Sequence, residues 1–213
     1  MKKGHFITFE GSDGCGKTTQ SVLIVNKLKD LGFEVVHTRE PGGTLVAEAL
    51  RKILLNPDNK IAPVTELLLY EACRAQHTSE LIVPSLEAGK FVLCERYTDA
   101  TVAYQGFGRG IDIKMISQLN KIATFNLIPD LTVLFYCDIK EGLSRANVRG
   151  KDRLEKEDIL FHKRVRAGYS WLVKKYPSRI KVVNTRGRSI EDIGNQILEI
   201  FVKKFGIKKA AWK

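Results

Sequence analysis

The sequence predicts an α/β domain: a parallel sheet of about five strands flanked by helices, with a mobile lid segment. Three observations predict it. Short β-rich runs alternate with helical patterns along the chain, the order that builds parallel sheets through helical crossovers. A glycine-rich segment ending in Lys17-Thr18 lies between the first strand and the first helix. At 213 residues and 44% hydrophobic, the chain suits one well-filled core rather than two.

The elements follow in order. Residues 5–10 read as the first strand. Residues 17–31 place Val22, Val25, Leu28 and Leu31 at helical spacing, with Lys27, Lys29 and Asp30 on other faces, and Gly32 supplies a stop. Residues 33–38 read as a second strand, and helical patterns continue to Leu86. Strands are expected at 90–95, 131–137 and 180–183, and helices at 113–124, 140–149, 159–175 and 190–205. No repeat, low-complexity stretch or linker rich in Pro, Gly or Ser interrupts them, so residues 1–213 read as a single domain, with 206–213 as a frayed tail.

Composition excludes several classes. The longest apolar runs fall far short of the roughly 18 residues that span a bilayer, and the N-terminal apolar stretch is too short for a signal peptide. A cytoplasmic protein is expected. Cys15, Cys73, Cys94 and Cys137 are far apart, without C-x-x-C spacing, which predicts reduced thiols rather than a zinc site or a disulfide framework. The net charge of +11 suits anionic partners, whether nucleic acid, acidic lipid or phosphorylated small molecules.

Gly11-Ser12-Asp13-Gly14-Cys15-Gly16-Lys17-Thr18 fits G-x-x-x-x-G-K-[ST] at every fixed position. Glycines let backbone N–H groups face a polyphosphate, and the start of the following helix adds positive field. Lys17 is expected at the β and γ phosphates and the Thr18 hydroxyl at Mg²⁺, with Thr19 beside them. This predicts ATP or GTP binding on a P-loop nucleoside triphosphatase fold.

Two carboxylates end apolar strands, Glu95 and Asp138. Glu95 is the better candidate for Mg²⁺ support because Arg96, a bidentate phosphate ligand by chemistry, follows it; Asp138 reads as a helix cap. Arg145, Arg149, Lys151 and Arg153 form a second basic group, either a solvated surface loop or a segment that closes over transferring phosphates. Residues 39–44, Arg-Glu-Pro-Gly-Gly-Thr, leave the second strand where a ligand crevice is expected. Asp13 is an unusual acid among phosphate-binding amides, suited to a hydroxyl of a second substrate.

Five ordered segments then resemble the thymidylate kinase family: Phe6 to Gly14, Arg39 to Thr44, Glu95-Arg96-Tyr97, Ala103-Tyr104-Gln105-Gly106 and Asp152-Arg153-Leu154-Glu155. The resemblance covers nearly the whole chain and implies a homodimer that transfers the γ-phosphoryl of ATP, with Mg²⁺, to dTMP, giving dTDP and ADP for dTTP synthesis. It implies that Asp13 meets the deoxyribose 3′-hydroxyl, Arg51 and Arg96 the acceptor phosphate, and Arg74 a thymine carbonyl. Tyr70 stacks on thymine by the same similarity, Thr101 and Gln105 line the base pocket, Tyr104 fills the space beside C2′, and Glu40 joins the substrate set. The variable P-loop positions lack a base, so the family pattern shifts that role to a lid at about 145–157, with Arg149 and Arg153 as phosphate clamps. Glu95 departs from the family's usual aspartate. Alternative readings are another P-loop kinase for a different monophosphate or small alcohol, and a nucleic-acid-dependent P-loop ATPase; no nucleic acid or membrane partner is expected. A regulatory GTPase lacks support, since no N-K-x-D segment is present.

Overall fold

The computed structural model describes residues 4–146 and 152–207. Five segments, β1 (His5–Gly11), β2 (Val35–Arg39), β3 (Phe91–Glu95), β4 (Leu131–Tyr136) and β5 (Ile180–Asn184), form one sheet in the order β2-β3-β1-β4-β5. Every pairing is parallel. The central β1 is covered on both faces: Ile7 and Phe9 enter one core and Phe6 another. The buried Thr8 pairs its hydroxyl with that of Thr132 at 2.7 Å, satisfying both.

On one face lie α1 (Lys17–Asp30) and α9 (Ile190–Phe205), whose Ile24, Leu28, Ile197 and Phe201 pack against Ile7, Phe9, Val133 and Phe135. The other carries α2 (Leu45–Leu55) and α3 (Pro63–His77), which continues through a π-helical turn at Thr78–Ile82 into α4 (Val83–Glu87). The short α5 (Thr98–Thr101) runs into a second π-helical segment, Val102–Gly108, and is followed by α6 (Ile113–Thr124), α7 (Ile139–Ala146) and α8 (Ile159–Lys175). Leu67, Tyr104, Leu134, Phe161 and Tyr169 form the core of that second layer.

Side chains define the helix starts. Asp158 accepts from Phe161 N–H at 2.6 Å and Ser189 from Asp192 N–H at 3.0 Å, caps of about 1 kcal/mol each. Asp138 Oδ1 accepts from the N–H groups of Lys140 and Glu141 at the start of α7, the capping role expected of it.

Three expectations need correction. Val22 is 44% exposed; the buried stripe of α1 runs instead through Ser21, Ile24, Val25 and Leu28. The second strand starts at Val35 rather than residue 33, because α1 ends in a reciprocal pair of bonds, Phe33 N–H to Leu28 O and Gly32 N–H to Lys29 O, with Gly32 at φ 81. That Schellman arrangement commits the Phe33 amide to the helix end. The expected helix over 140–149 is α7 as far as Ala146; the remainder, Arg149 included, lies outside the described residues. No helix among the described residues is long and apolar enough to cross a membrane.

Candidate active site

The chain passes from β1 to β2 and β3 on one side and then to β4 and β5 on the other, so a crevice opens at the carboxyl end of β1. The glycine-rich loop occupies it. Gly14 and Gly16 adopt φ 69 and φ 90, a region that a side chain makes costly. Gly14 also meets α7 backbone to backbone: a Cβ there would lie 1.9 Å from Gly142 O, and a Cβ on Gly142 would lie 2.5 Å from Asp13 O. Lys17 curls over its own loop, donating to Gly11 O at 3.0 Å and Ser12 O at 2.7 Å.

An oxygen cluster faces the start of α1. Glu95 Oε2 accepts from the Thr18 hydroxyl at 2.7 Å and Oε1 from the Ser21 hydroxyl at 2.6 Å, with His37 Nε2 at 3.4 Å. Burial works against the Glu95 charge, but the hydrogen bonds from His37, Ser21 and Thr18 outweigh it and hold its pKa down at about 2. Ser21 and His37 carried no functional signal in the sequence: one sits mid-helix, and the other is a lone histidine in a strand.

Beside it, Arg96 adopts φ 67, turning its guanidinium back over the loop. It pairs with Asp13 and donates to Gly11 O at 3.1 Å and to the hydroxyls of Tyr104 at 3.1 Å and Tyr169 at 3.3 Å. Tyr104 donates to Asp13 Oδ2 at 2.9 Å. Burial raises the Asp13 pKa, but Arg96 and Lys17 reverse this and bring it to about 2. Tyr169 in turn donates to the buried Glu10 at 2.9 Å, whose second oxygen accepts from Tyr97 N–H. Burial and the charge of Asp99 lift Glu10 to about 7, against Arg96 and those two hydrogen bonds.

Arg74 is 1% exposed. It reaches Glu40, Glu71, Thr101, Asn120 and the carbonyl of Tyr97, so contact with a thymine carbonyl means sharing an N–H already engaged. Arg51 donates to Pro41 O at 2.6 Å. Tyr70 is half-buried: it packs against the second-layer core and lines the cavity wall.

The lid positions divide. Arg149 and Lys151 lie outside the described residues. Arg145 is exposed and pairs with Glu141 at 2.5 Å. Arg153 does not face the phosphate loop: its guanidinium is buried, bonded to Glu66 at 2.5 Å and Leu54 O at 2.8 Å. That placement corrects its expectation as a phosphate clamp, since a buried guanidinium needs a carboxylate partner and Glu66 supplies one. Its neighbours Asp152, Leu154 and Glu155 reach the cavity instead.

One cavity of about 500 Å³ joins these groups. The phosphate loop from Asp13 through Gly14, Cys15, Gly16, Lys17, Thr18 and Thr19 lines one end, with Glu95 and Arg96 in the middle. Glu40, Arg51, Tyr70, Arg74, Thr101, Tyr104 and Gln105 line the other; Gly11 and Ser12, the first residues of the loop, do not line the cavity. A phosphate loop opening onto a second, cation-lined pocket defines a P-loop phosphotransferase.

Comparison with known proteins specifies the class. A thymidylate kinase family model matches residues 9–197. The chain is 53% identical over 192 residues to the thymidylate kinase of Geobacter sp. (strain M21), covering 86% of this chain and 85% of that one. It is 47% identical to that of Nostoc punctiforme, covering 94% and 98%. The crystal structure of thymidylate kinase from Ehrlichia chaffeensis superimposes with a TM-score of 0.78 at 37% identity, covering 93% and 98%. The chain belongs to the thymidylate kinase family.

Proposed function

We propose that this protein transfers the γ-phosphoryl of ATP to dTMP, giving dTDP and ADP, as one kinase domain with a lid at about 145–157. The observation that carries the reading is the shared cavity: the phosphate loop, Arg96 and the side chains of Arg51, Tyr70, Arg74, Thr101, Tyr104 and Gln105 line one space.

The roles follow from position and chemistry. Amides of residues 13–19 and the Lys17 ammonium receive the triphosphate. Arg96 and Arg51 grip the acceptor phosphate; held by Asp13, Tyr104 and Tyr169, the Arg96 guanidinium is oriented before substrate arrives, which is where most catalytic stabilisation of this kind originates. Asp13 accepts from the sugar 3′-hydroxyl, and Tyr104 occupies the volume beside C2′. Tyr70 stacks on the base, while Arg74, Thr101 and Gln105 face its edge and Glu40 fixes Arg74. Arg149 closes from the lid.

The donors Thr18 Oγ1 and Glu95 are hard oxygens suited to Mg²⁺, which takes few protein ligands and the rest from phosphates and water. Thr18 would hold it directly and Glu95 through water. When bound, it neutralises charge on the β and γ phosphates.

The exposed apolar residues Leu45, Leu68 and Ile122, on α2, α3 and α6, support a homodimer through those neighbouring helices. The four unpaired cysteines fit a cytoplasmic enzyme, and the reading assigns no role to nucleic acid or membrane.

ADP formation that depends on dTMP tests the reading. Lys17→Ala and Arg96→Ala should each lose about 3 kcal/mol of transition-state stabilisation; full turnover in either variant would misassign the roles.

A further inference from the structure

Glu66 lies in the first turn of α3, fully buried, and has no part in the roles above. It shares a helix face with Tyr70 and Arg74 at i+4 and i+8. Its Oε1 accepts from Gln105 Nε2 at 2.8 Å and Arg109 Nε at 3.1 Å; its Oε2 accepts from Arg109 Nη2 at 3.0 Å and Arg153 Nη1 at 2.5 Å. Arg109 also pairs with Glu157 at 2.7 Å. One carboxylate thereby ties α3 to the segment carrying Tyr104 and Gln105 and, through Arg153, to the C-terminal part of the 145–157 segment. Burial opposes the Glu66 charge, but the bonds from Arg109 and Gln105 prevail and keep its pKa below the ordinary value.

An ionised carboxylate only accepts hydrogen bonds. The Gln105 amide therefore has to turn its NH₂ towards Glu66, whichever way the side chain is otherwise drawn. Gln105 is 1% exposed and lines the cavity. Among the described residues no protein donor bonds to its Oε1, which is the polar atom left for a ligand.

We infer that Glu66 is a positioning residue that sets base specificity: it locks Gln105 so that the pocket presents an acceptor to the base edge. Thymine and uracil carry a donor, N3–H, at that edge. Cytosine carries a lone pair at N3 and is repelled by a fixed carbonyl, a mismatch that leaves buried polar atoms unpaired. The inference rests on the dTMP reading and on Gln105 facing the base.

The test measures kcat/KM for dTMP, dUMP and dCMP on the full chain with ATP and Mg²⁺. Two variants carry it. Glu66→Gln removes the charge that enforces the amide orientation; Glu66→Met/Arg153→Met removes Glu66 together with its buried partner Arg153, while Arg109 keeps its pair with Glu157. Each should narrow the dTMP-to-dCMP preference by about tenfold or more and leave the dTMP-to-dUMP ratio nearly unchanged, whereas Glu66→Asp, still a carboxylate, should retain most of the preference. A merely structural role would lower all three substrates together. An unchanged dTMP-to-dCMP ratio in whichever of the two variants folds, as its melting transition shows, overturns the inference. Gln105→Ala separates the failures: if it alters the ratio and the Glu66 variants do not, only the positioning claim falls, whereas absence of dTMP turnover in the unaltered protein removes the functional reading itself.

Discussion

At Glu95 a side chain one methylene longer than the family's usual aspartate is held at the site by the hydroxyls of Thr18 and Ser21 and by His37. Glu95→Asp should keep activity, and Glu95→Ala should lose most of it through weakened Mg²⁺ organisation; titration of activity against Mg²⁺ reads the difference, and a fully active alanine variant would contradict metal support by this residue. Cys15 is 1% exposed, 3.6 Å from the Lys17 ammonium. Burial raises its thiol pKa, but a hydrogen bond with Cys137 and the charges of Lys17 and Arg96 bring it to about 6. A small thiol reagent should inactivate the enzyme, ATP with Mg²⁺ should protect it, and Cys15→Ala should be resistant; inactivation that persists in Cys15→Ala would dismiss the P-loop thiol. Glu10 gives a pH signature of the opposite sign to Asp13 and Glu95. Those two are depressed to about 2, so the stability they add is present above their ordinary values and is lost as the pH falls through about 4 towards 2. Glu10 is raised from 4.5 to about 7, so the folded chain binds its proton more tightly and stability declines as pH rises across that interval. Melting temperatures at about pH 5 and pH 8 should therefore converge in Glu10→Gln; an unaltered difference would deny its titration there. The motif residues were legible because spacing identifies them. Glu10, Ser21, His37 and Tyr169 were not, because a lone polar residue in an apolar run announces its partners only once the strands and helices are assembled.

Among the elements, those with a single strong period were read from sequence almost to the residue: α6, α8 and α9 coincide with the expected 113–124, 159–175 and 190–205. The π-helical segment Val102–Gly108 was not, since its wider turn leaves no compositional mark. It places Tyr104 and Gln105 in the cavity wall. Tyr104→Ala should narrow the preference for deoxyribo over ribo acceptors by roughly ten- to a hundredfold, the range for one small group in a filled pocket; an unchanged ratio would move discrimination elsewhere, with Asp13 next to test. The backbone contact between the phosphate loop and α7 was equally hidden, because Gly142 lies far from Gly14 in the chain. Gly142→Ala pushes a Cβ against Asp13 O and should destabilise the fold by about 1–3 kcal/mol while raising KM for ATP. A variant with native melting and native KM would show that the loop does not depend on this contact.

For the whole molecule, the alternation of strands and helices made the sheet legible, and the complete loop motif made the nucleotide end of the cavity legible. The acceptor end was legible only through resemblance: Tyr70 and Arg74 share α3 at i,i+4 spacing, but Arg51 comes from α2 and Tyr104 from the π-helical segment, and no single spacing links the three elements. Charge alone did not choose the partner: +11 is compatible with any anion. The proposed homodimer is a property of the whole particle. Leu68→Asp with Ile122→Asp, on the exposed apolar face, should convert the particle to a monomer by light scattering, and a persistent dimer would place the interface elsewhere. The central claim, that one cavity accepts ATP at its loop and dTMP at its far end, is tested most directly by incubating the protein with ATP, Mg²⁺ and each nucleoside monophosphate in turn and following diphosphate formation. Rapid dTDP formation with little product from adenylate, guanylate or cytidylate is the predicted result; comparable rates with adenylate or cytidylate, or ATP hydrolysis that proceeds equally without dTMP, would contradict it.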